Sequence, residues 1–204
     1  MRTKLGICSI AGTALFVSVP LLAASPIEKE SQTVPKSNDA SQFASLKMAK
    51  SAGCLKGENN QFGRYLGDWL IENWTLQPDG KSWVKDPNAR WVFKCFSDGV
   101  AIQDFWMPAN GKNGTNFRVY NAKTKNWDVV WAVASGPGMT RINAKQDGGG
   151  NMVMHYVFPK PNPPRQITFK PPTKDGWDWE LKMSYDAEKS WVTVYKIKAT
   201  PWRD

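Results

Sequence analysis

The sequence predicts an all-β protein, an antiparallel meander of about eight to ten strands that is closed into a barrel or folded into a sandwich. Two observations lead to this prediction. Between residues 65 and 201, short segments of alternating apolar and polar residues follow one another without an intervening helical pattern. Between them lie residues that favour hairpin turns, such as Pro78-Asp79-Gly80, Asp98-Gly99 and Asp175-Gly176.

Large apolar side chains occupy every second position in most of these segments. The residues that share one face are, segment by segment, Trp91, Phe93 and Cys95; Val100, Ile102, Asp104 and Trp106; Trp127, Val129, Trp131 and Val133; Met152, Met154, Tyr156 and Phe158; Trp177, Trp179, Leu181 and Met183; and Trp191, Thr193, Tyr195, Ile197 and Ala199. All eleven tryptophans lie between residues 69 and 202, which is more than a small core needs. Most of these tryptophans fill the core. The more specific interpretation is that some of them line a cavity for a flat apolar or sugar-like ligand.

The N-terminus has the pattern of an export signal. A positively charged start precedes an apolar run over residues 5–22, and small residues follow it. We therefore predict a signal peptide over residues 1–24 and a periplasmic or secreted protein. A membrane anchor is the alternative that the length of the run permits. Pro20 and the small residues after the run favour cleavage instead.

Residues 25–41 are polar and turn-prone, which predicts a flexible linker. Residues 40–52 contain good helix formers with apolar residues at three-residue spacing, which predicts a short amphipathic helix that ends at Gly53. We expect this helix to cover one mouth of the barrel. Together with the strands it would form a single domain over residues 42–204.

Two cysteines remain after removal of the signal, Cys54 and Cys95. An even pair in an exported protein predicts a disulfide, because thiols can stay oxidised outside the cytoplasm. Two buried free thiols are the alternative.

The chain has a net charge of +9. A basic, aromatic chain could bind nucleic acid, but the lysines fall singly at outward strand positions and in turns, where they protect edges. We therefore expect no nucleic-acid partner and at most a weak contact with an anionic envelope surface.

Several motifs occur in an order that is typical of one family. They are Gly67-Asp68-Trp69, Gln103-Asp104-Phe105-Trp106, the segment 114–121, Arg165-Gln166-Ile167-Thr168-Phe169 and the segment 190–197. Together they resemble the bacterial lipocalin-like β-barrels of the DUF1579 type, whose general function is unassigned, over about residues 60–200. The resemblance implies an up-and-down, calycin-like barrel with an internal cavity. It implies no catalytic residues.

The most specific of these motifs contains the strongest candidate for a binding residue. Asn116, Arg118 and Tyr120 share one face of a strand, and Phe117 lies on the other face. If the polar face points inward, Arg118 must be paired with an acid or a ligand carboxylate, because an unpaired buried charge is too costly. Asp104 is the candidate partner, and such a pair could hold an anionic or carbonyl-bearing ligand. The alternative places Phe117 inside and Arg118 in solvent; the recurrence of this segment in the family favours the inward arginine.

Other chemistry has weaker support. His155, the only histidine, could serve as a general base or a haem ligand. It alternates with Val153 and not with the bulky residues, so a structural role is favoured. Asp178 and Glu180 alternate as a solvated face would, which argues against a glycosidase pair. One histidine and two bonded cysteines cannot form an ordinary zinc site, and we expect no cofactor.

Three classes of function remain, and a binding protein is favoured. In it, Arg118 and Asp104 would contact a polar or anionic group of a hydrophobic or aromatic ligand. The other candidate site residues are Asn116, Tyr120, Trp106, Trp131, Trp179 and His155. The second class is a cofactor-free isomerase, lyase or cyclase, in which Arg118, Tyr120 or His155 would polarise the substrate or move a proton. The third is a structural envelope protein with a solid barrel.

Overall fold

The computed structural model describes residues 52–136 and 138–203, which belong to one compact unit. The predicted signal peptide and the predicted linker lie outside the described residues, as does all of the predicted helix except Ala52. Within the described part of the chain, no helix is long and apolar enough to cross a membrane.

Ten strands form the wall of a closed barrel. They are β1 (Gly67–Leu76), β2 (Trp83–Phe96), β3 (Ala101–Pro108), β4 (Gly114–Asn121), β5 (Asn126–Val133), β6 (Met139–Gln146), β7 (Met152–Phe158), β8 (Arg165–Phe169), β9 (Trp177–Met183) and β10 (Val192–Pro201). Each strand pairs antiparallel with the next, and β10 pairs with β1 to close the sheet. The predicted up-and-down barrel is therefore confirmed, and closure excludes the sandwich.

One end of the barrel is covered by the segment before β1. This segment forms two short 3-10 turns, Ala52–Leu55 and Gly57–Asn59, and one helical turn, α1 (Asn60–Gly63). Cys54 is bonded to Cys95 near the end of β2, which confirms the predicted disulfide. We call this end the closed end. Among the described residues, the opposite or open end is bordered by the hairpin connections β1–β2, β3–β4, β5–β6, β7–β8 and β9–β10.

Aromatic side chains fill the closed end. Phe62 of α1 is completely buried and contacts Trp127 edge to face, with ring centroids 5.0 Å apart. Phe169 stacks on Trp177 at 5.5 Å, and Tyr65 meets both rings at 5.3 Å. Such pairs stabilise a core beyond the area they bury, by about 0.5–1.5 kcal/mol each. The interior is therefore solid near α1, which leaves any free space toward the open end.

The predicted inward faces are largely as observed, and they differ at the ends of strands. Val100 is 60% exposed in a turn and Phe158 is 66% exposed at the last position of β7. Trp191 precedes β10. The alternation continues beyond the residues that form the barrel wall, because any extended chain places successive side chains on opposite faces, whether or not it pairs in the sheet. The predicted inner faces therefore include residues that lie outside the wall.

Candidate functional site

A cavity of about 320 Å³ lies inside the barrel. Its walls are mostly aromatic and aliphatic; the lining residues are Trp91, Trp106, Asn116, Arg118, Trp131, Ile142, Met154, Tyr156, Ile167, Phe169, Trp179, Leu181, Tyr195 and Ile197. The volume lies at the small end of the range for ligand pockets. It is the volume that about ten water molecules occupy in the liquid.

Five of the predicted site residues line this cavity together. They are Trp106, Asn116, Arg118, Trp131 and Trp179. Asp104 is completely buried and contacts Arg118 and Asn116 from the strand beside them. Tyr120 lies nearer the closed end, where its ring contacts Trp127 at 5.6 Å, and it is not among the lining residues.

Arg118 points into the barrel, and its charged side chain is almost completely buried. Its side chain is 1% exposed, and Nη2 lies 2.5 Å from Oδ2 of Asp104. The guanidinium also lies over the rings of Phe62 at 4.9 Å and Phe93 at 5.3 Å. A carboxylate and aromatic faces are the two kinds of group that stabilise a desolvated guanidinium.

Asp104 is held in place by the strand opposite it. The register of β3 and β4 sets Asp104 directly across from Asn116. The Asn116 side-chain amide donates to both carboxylate oxygens at 3.1 Å, and its backbone N–H donates to Oδ1, also at 3.1 Å. The carboxylate is therefore well satisfied, and it anchors one side of the Arg118 guanidinium.

The other side of the guanidinium has hydrogen-bond donors to spare. Nε and Nη1 of Arg118 are buried and find no acceptor among the described residues. Nη2 contacts Asp104 as an ion pair but is not aligned for a hydrogen bond. Nε1 of Trp91, another lining residue, also has no acceptor in the described part of the chain. Each unmet donor costs about 1–3 kcal/mol, so the cavity is suited to a ligand that supplies acceptors.

The cavity opens into a polar vestibule at the open end. Trp106, Trp131 and Tyr195 line both spaces. The Tyr195 hydroxyl donates to Oδ1 of Asn73, and the Thr75 hydroxyl donates to Asp86 at 2.7 Å. Burial raises the pKa of Tyr195, and the charge of Asp86 adds to the rise. Tyr195 is therefore neutral at the mouth at ordinary pH.

A glycine positions one wall of the cavity. The ring of Trp131 on β5 lies against Gly114 on β4, and a Cβ at Gly114 would come within 2.2 Å of that ring. No other residue at position 114 would leave room for the indole in this place. Gly114 opens the sequence motif that carries the family resemblance, but the motif alone does not reveal this role.

Three aromatic residues of the cavity wall are absent from the predicted site. Trp91, Tyr156 and Tyr195 line the cavity but were not predicted as site residues. All three lie on the faces that the alternation identifies as shared with other large residues, so the signal was present. The alternation does not give the position of each residue along the barrel axis. That position decides whether an inward residue lies in the filled closed end or lines the cavity.

The assignment of His155 to the cavity requires correction. His155 is exposed on the outer surface of β7, opposite Asn143 and Gln166, while its neighbours Met154 and Tyr156 point inward. It therefore does not line the cavity and cannot act there as a base or as a haem ligand. Glu180 lies on the outside as well, within 3.2 Å of Lys182. Within the described ranges, no group of three or more His, Cys, Asp or Glu side chains could hold a metal ion.

Comparisons with known proteins add little to this geometry. No protein-family model matches the chain, and no curated protein matches it. Among solved structures, it is similar to an S-type phycobiliprotein lyase from Guillardia theta, with 10% identity and a TM-score of 0.49 over 73% of this chain and 94% of that one. It is also similar to the protein Rv2717c from M. tuberculosis, with 11% identity and a TM-score of 0.45 over 72% and 99% of the two chains. A protein of unknown function from the DUF3598 family of Nostoc punctiforme follows, with 9% identity and a TM-score of 0.22 over 72% of this chain and all of that one.

Fold and cavity together define a class: a lipocalin-like, ten-stranded up-and-down barrel with an aromatic-lined interior. Membership of the DUF1579 type stays a prediction.

Proposed function

We propose that this protein is an exported β-barrel that binds a small hydrophobic or aromatic ligand through a polar or anionic group on that ligand. The observation that carries the proposal is the Arg118 guanidinium, which lines the cavity and has two buried nitrogens, Nε and Nη1, whose N–H groups find no acceptor among the described residues. A buried donor of this kind is satisfied when a ligand oxygen reaches it.

The charge balance of the site defines the acceptor. Asp104 already neutralises Arg118, so a neutral carbonyl oxygen is sufficient to satisfy the free N–H groups. A carboxylate would form the stronger, charge-assisted bonds. The indoles of Trp106, Trp131 and Trp179 offer flat apolar surfaces to the rest of the ligand. The cavity of about 320 Å³ suits a small ligand, such as one aromatic ring with a short side chain.

Export is part of the proposal and is supported by two features. The sequence has a signal-peptide pattern over residues 1–24. The Cys54–Cys95 bond suits an oxidising compartment outside the cytoplasm.

The binder is better supported than the two alternatives. A solid structural barrel would have no lined cavity at its centre. The cofactor-free enzyme was expected to use Arg118, Tyr120 or His155, and of these three only Arg118 reaches the cavity. No described feature favours a proton-transfer reaction over simple binding.

The test compares three probes that share the phenylpropene carbon skeleton by isothermal titration calorimetry. Cinnamate carries an anionic acceptor, cinnamamide a neutral acceptor, and propenylbenzene no acceptor. We expect both acceptor-bearing probes to bind more tightly than the hydrocarbon, by about 2–4 kcal/mol. In Arg118→Met combined with Asp104→Asn, the three affinities should converge.

Arg141→Met is the matched control for this test, because Arg141 is an exposed arginine on β6 outside the barrel. It should bind the probes as the parent does. Equal affinity of the parent for all three probes would contradict the role of Arg118. Failure of all three to bind the parent would contradict the binding function itself.

A further inference from the structure

A second arginine faces the interior of the barrel, at its open end. Arg165 is the first residue of β8 and alternates with Ile167 and Phe169, which both line the cavity. On β9 it lies opposite Met183, in the register that also pairs Ile167 with Leu181. Its Nε is buried and finds no acceptor among the described residues. Arg165 therefore has a buried donor without an acceptor at the open end, as Arg118 has deeper inside the barrel.

Tyr156 lies beside this arginine. The register of β7 and β8 pairs Met154 with Ile167 and His155 with Gln166, and Tyr156 and Arg165 are the next residues along these two strands. Tyr156 lines the cavity. Burial raises the pKa of its hydroxyl, and the positive charge and hydrogen bond of Arg165 oppose part of that rise. Arg165 and the Tyr156 hydroxyl are therefore neighbours at the open end of the strands.

The two arginines act at different depths. The Arg118 guanidinium lies 5.9 Å from the ring of Phe169, at the far end of β8 from Arg165. Phe169 and Arg165 are four residue steps apart on an extended strand, a rise of about 13 Å. Apolar side chains, including Ile167 and Leu181, line the space between the two depths. One elongated ligand could therefore meet a guanidinium at each end.

We infer that Arg165 and Tyr156 form a second acceptor-binding subsite at the open end of the cavity, so that the preferred ligand is an aromatic compound with an acceptor group at each end, such as a dicarboxylate. This inference rests on the proposed function, since it names the class of ligand for the same cavity. The inner acceptor would meet Arg118, and the outer acceptor would meet the Arg165 guanidinium and the Tyr156 hydroxyl, both of which can donate.

The carboxylate of Asp86 also lies at the mouth of the barrel. Asp86 lines the vestibule and would repel an anion close to it. It lies on β2, however, which is separated from β8 by β9, β10 and β1 around the barrel. It also accepts a hydrogen bond from Thr75 at 2.7 Å. The side of the mouth that carries Arg165 is therefore the side that an outer acceptor would approach.

The experiment measures the preference of the protein for a second acceptor. Its probes are cinnamate and para-carboxycinnamate, which differ only in the outer carboxylate, titrated by calorimetry at two salt concentrations. We expect the parent to bind para-carboxycinnamate at least about tenfold more tightly. Arg165→Met should remove that preference and leave the affinity for cinnamate within about twofold of the parent. Arg165→Lys should keep part of the preference, because the positive charge remains. It should not keep all of it, because an ammonium lacks the planar fork of a guanidinium.

Arg141→Met again serves as the control, with the same substitution on the outer surface of β6. It should retain the full preference. If Arg165→Met keeps the preference, or if Arg141→Met loses as much of it, the subsite is wrong, while cinnamate binding through Arg118 still stands. If the parent binds neither probe, the proposed function fails and the subsite with it. Melting curves check the fold of each variant, and Arg165→Lys decides the matter if Arg165→Met does not fold.

Discussion

At the scale of single residues, the Arg118–Asp104 pair connects stability with binding. Both side chains are almost fully buried, and taking two charges out of water costs several kcal/mol per ion before they attract each other. Asn116 supplies the hydrogen bonds that complete the Asp104 shell. These hydrogen bonds offset the desolvation cost of the Asp104 carboxylate. The donors that still lack an acceptor belong to Arg118, which lines the cavity.

Removal of one partner should cost more than removal of both charges. Arg118→Met leaves a buried carboxylate without its cation, which typically lowers the free energy of unfolding by about 3–5 kcal/mol. Adding Asp104→Asn removes the orphaned charge and keeps a hydrogen-bond partner for Asn116, so the double variant should recover most of the loss. Urea unfolding of the parent, both single variants and the double variant completes the cycle. If the single losses simply add in the double variant, the two residues are not coupled.

Tyr65 should make the protein sensitive to alkali. Its hydroxyl is buried and donates to the Lys170 carbonyl at 2.9 Å. Burial raises the pKa of Tyr65 from 10.0 to about 12, and the charge of Arg64 opposes the rise. Because the pKa is higher in the folded state, the stabilisation is complete below about pH 10 and is lost as the pH rises through 12. The loss amounts to about 2–3 kcal/mol.

Tyr65→Phe should remove this part of the pH dependence. Urea unfolding at neutral pH and near pH 11.5 measures it, as the difference in free energy of unfolding between the two conditions. Tyr185→Phe is the control, because Tyr185 is 69% exposed. An equal alkaline loss in the parent and in Tyr65→Phe would show that other groups cause it.

At the scale of elements, the segment before β1 closes one end of the barrel. The backbone N–H of Gly53 donates to Asp98 at 2.8 Å, in the turn between β2 and β3. Phe62 inserts its ring into the aromatic cluster. Gly63 lies so close to Cys54 that a Cβ would come within 1.7 Å of the Cys54 carbonyl oxygen. The disulfide to Cys95 joins this compact segment to the wall.

Loss of that disulfide should weaken the protein without abolishing the barrel. The bond closes a loop with a sequence separation of 41 residues, which corresponds to about 3–4 kcal/mol in the chain-entropy model. Cys54→Ala with Cys95→Ala should lower the free energy of unfolding by that amount, while the far-UV circular dichroism of the strands persists. Reduced parent protein should behave as the double variant does. Alkylation of Cys54 and Cys95 in unreduced, denatured parent would contradict the bond.

At the scale of the whole molecule, we expect an exported chain that has lost its signal. Cleavage after Ala24 would leave Ser25 as the first residue, and removal of Arg2 and Lys4 would reduce the net charge from +9 to +7. N-terminal sequencing and the intact mass identify the first residue of the chain and the loss of the signal. The protein is taken from the exported fraction of its host. Recovery of Met1 in that fraction would instead support the membrane-anchor alternative.

The sequence alone determined the wall of the barrel and one side of the site. Alternation is a local property of extended chain, so it identified the strands and the inward face of Met152 to Tyr156. It placed Arg118 on one face with Asn116 and Tyr120 but left open whether that face points inward, and the resemblance to other barrels favoured the inward choice. The same alternation separated His155 from that face, although the residue was kept as a candidate. Two cysteines in a chain with a predicted export signal were enough to predict their bond.

Only the tertiary structure decided what the barrel contains. A cavity is the volume that remains when side chains from ten strands meet, and that volume depends on the height of each residue along the barrel axis. Phe62 and Tyr65 fill the closed end, which no pattern in the strands indicates. Arg165 went unnoticed because its partner Tyr156 is on another strand, and only the register between the two strands brings the second guanidinium to the mouth of the cavity.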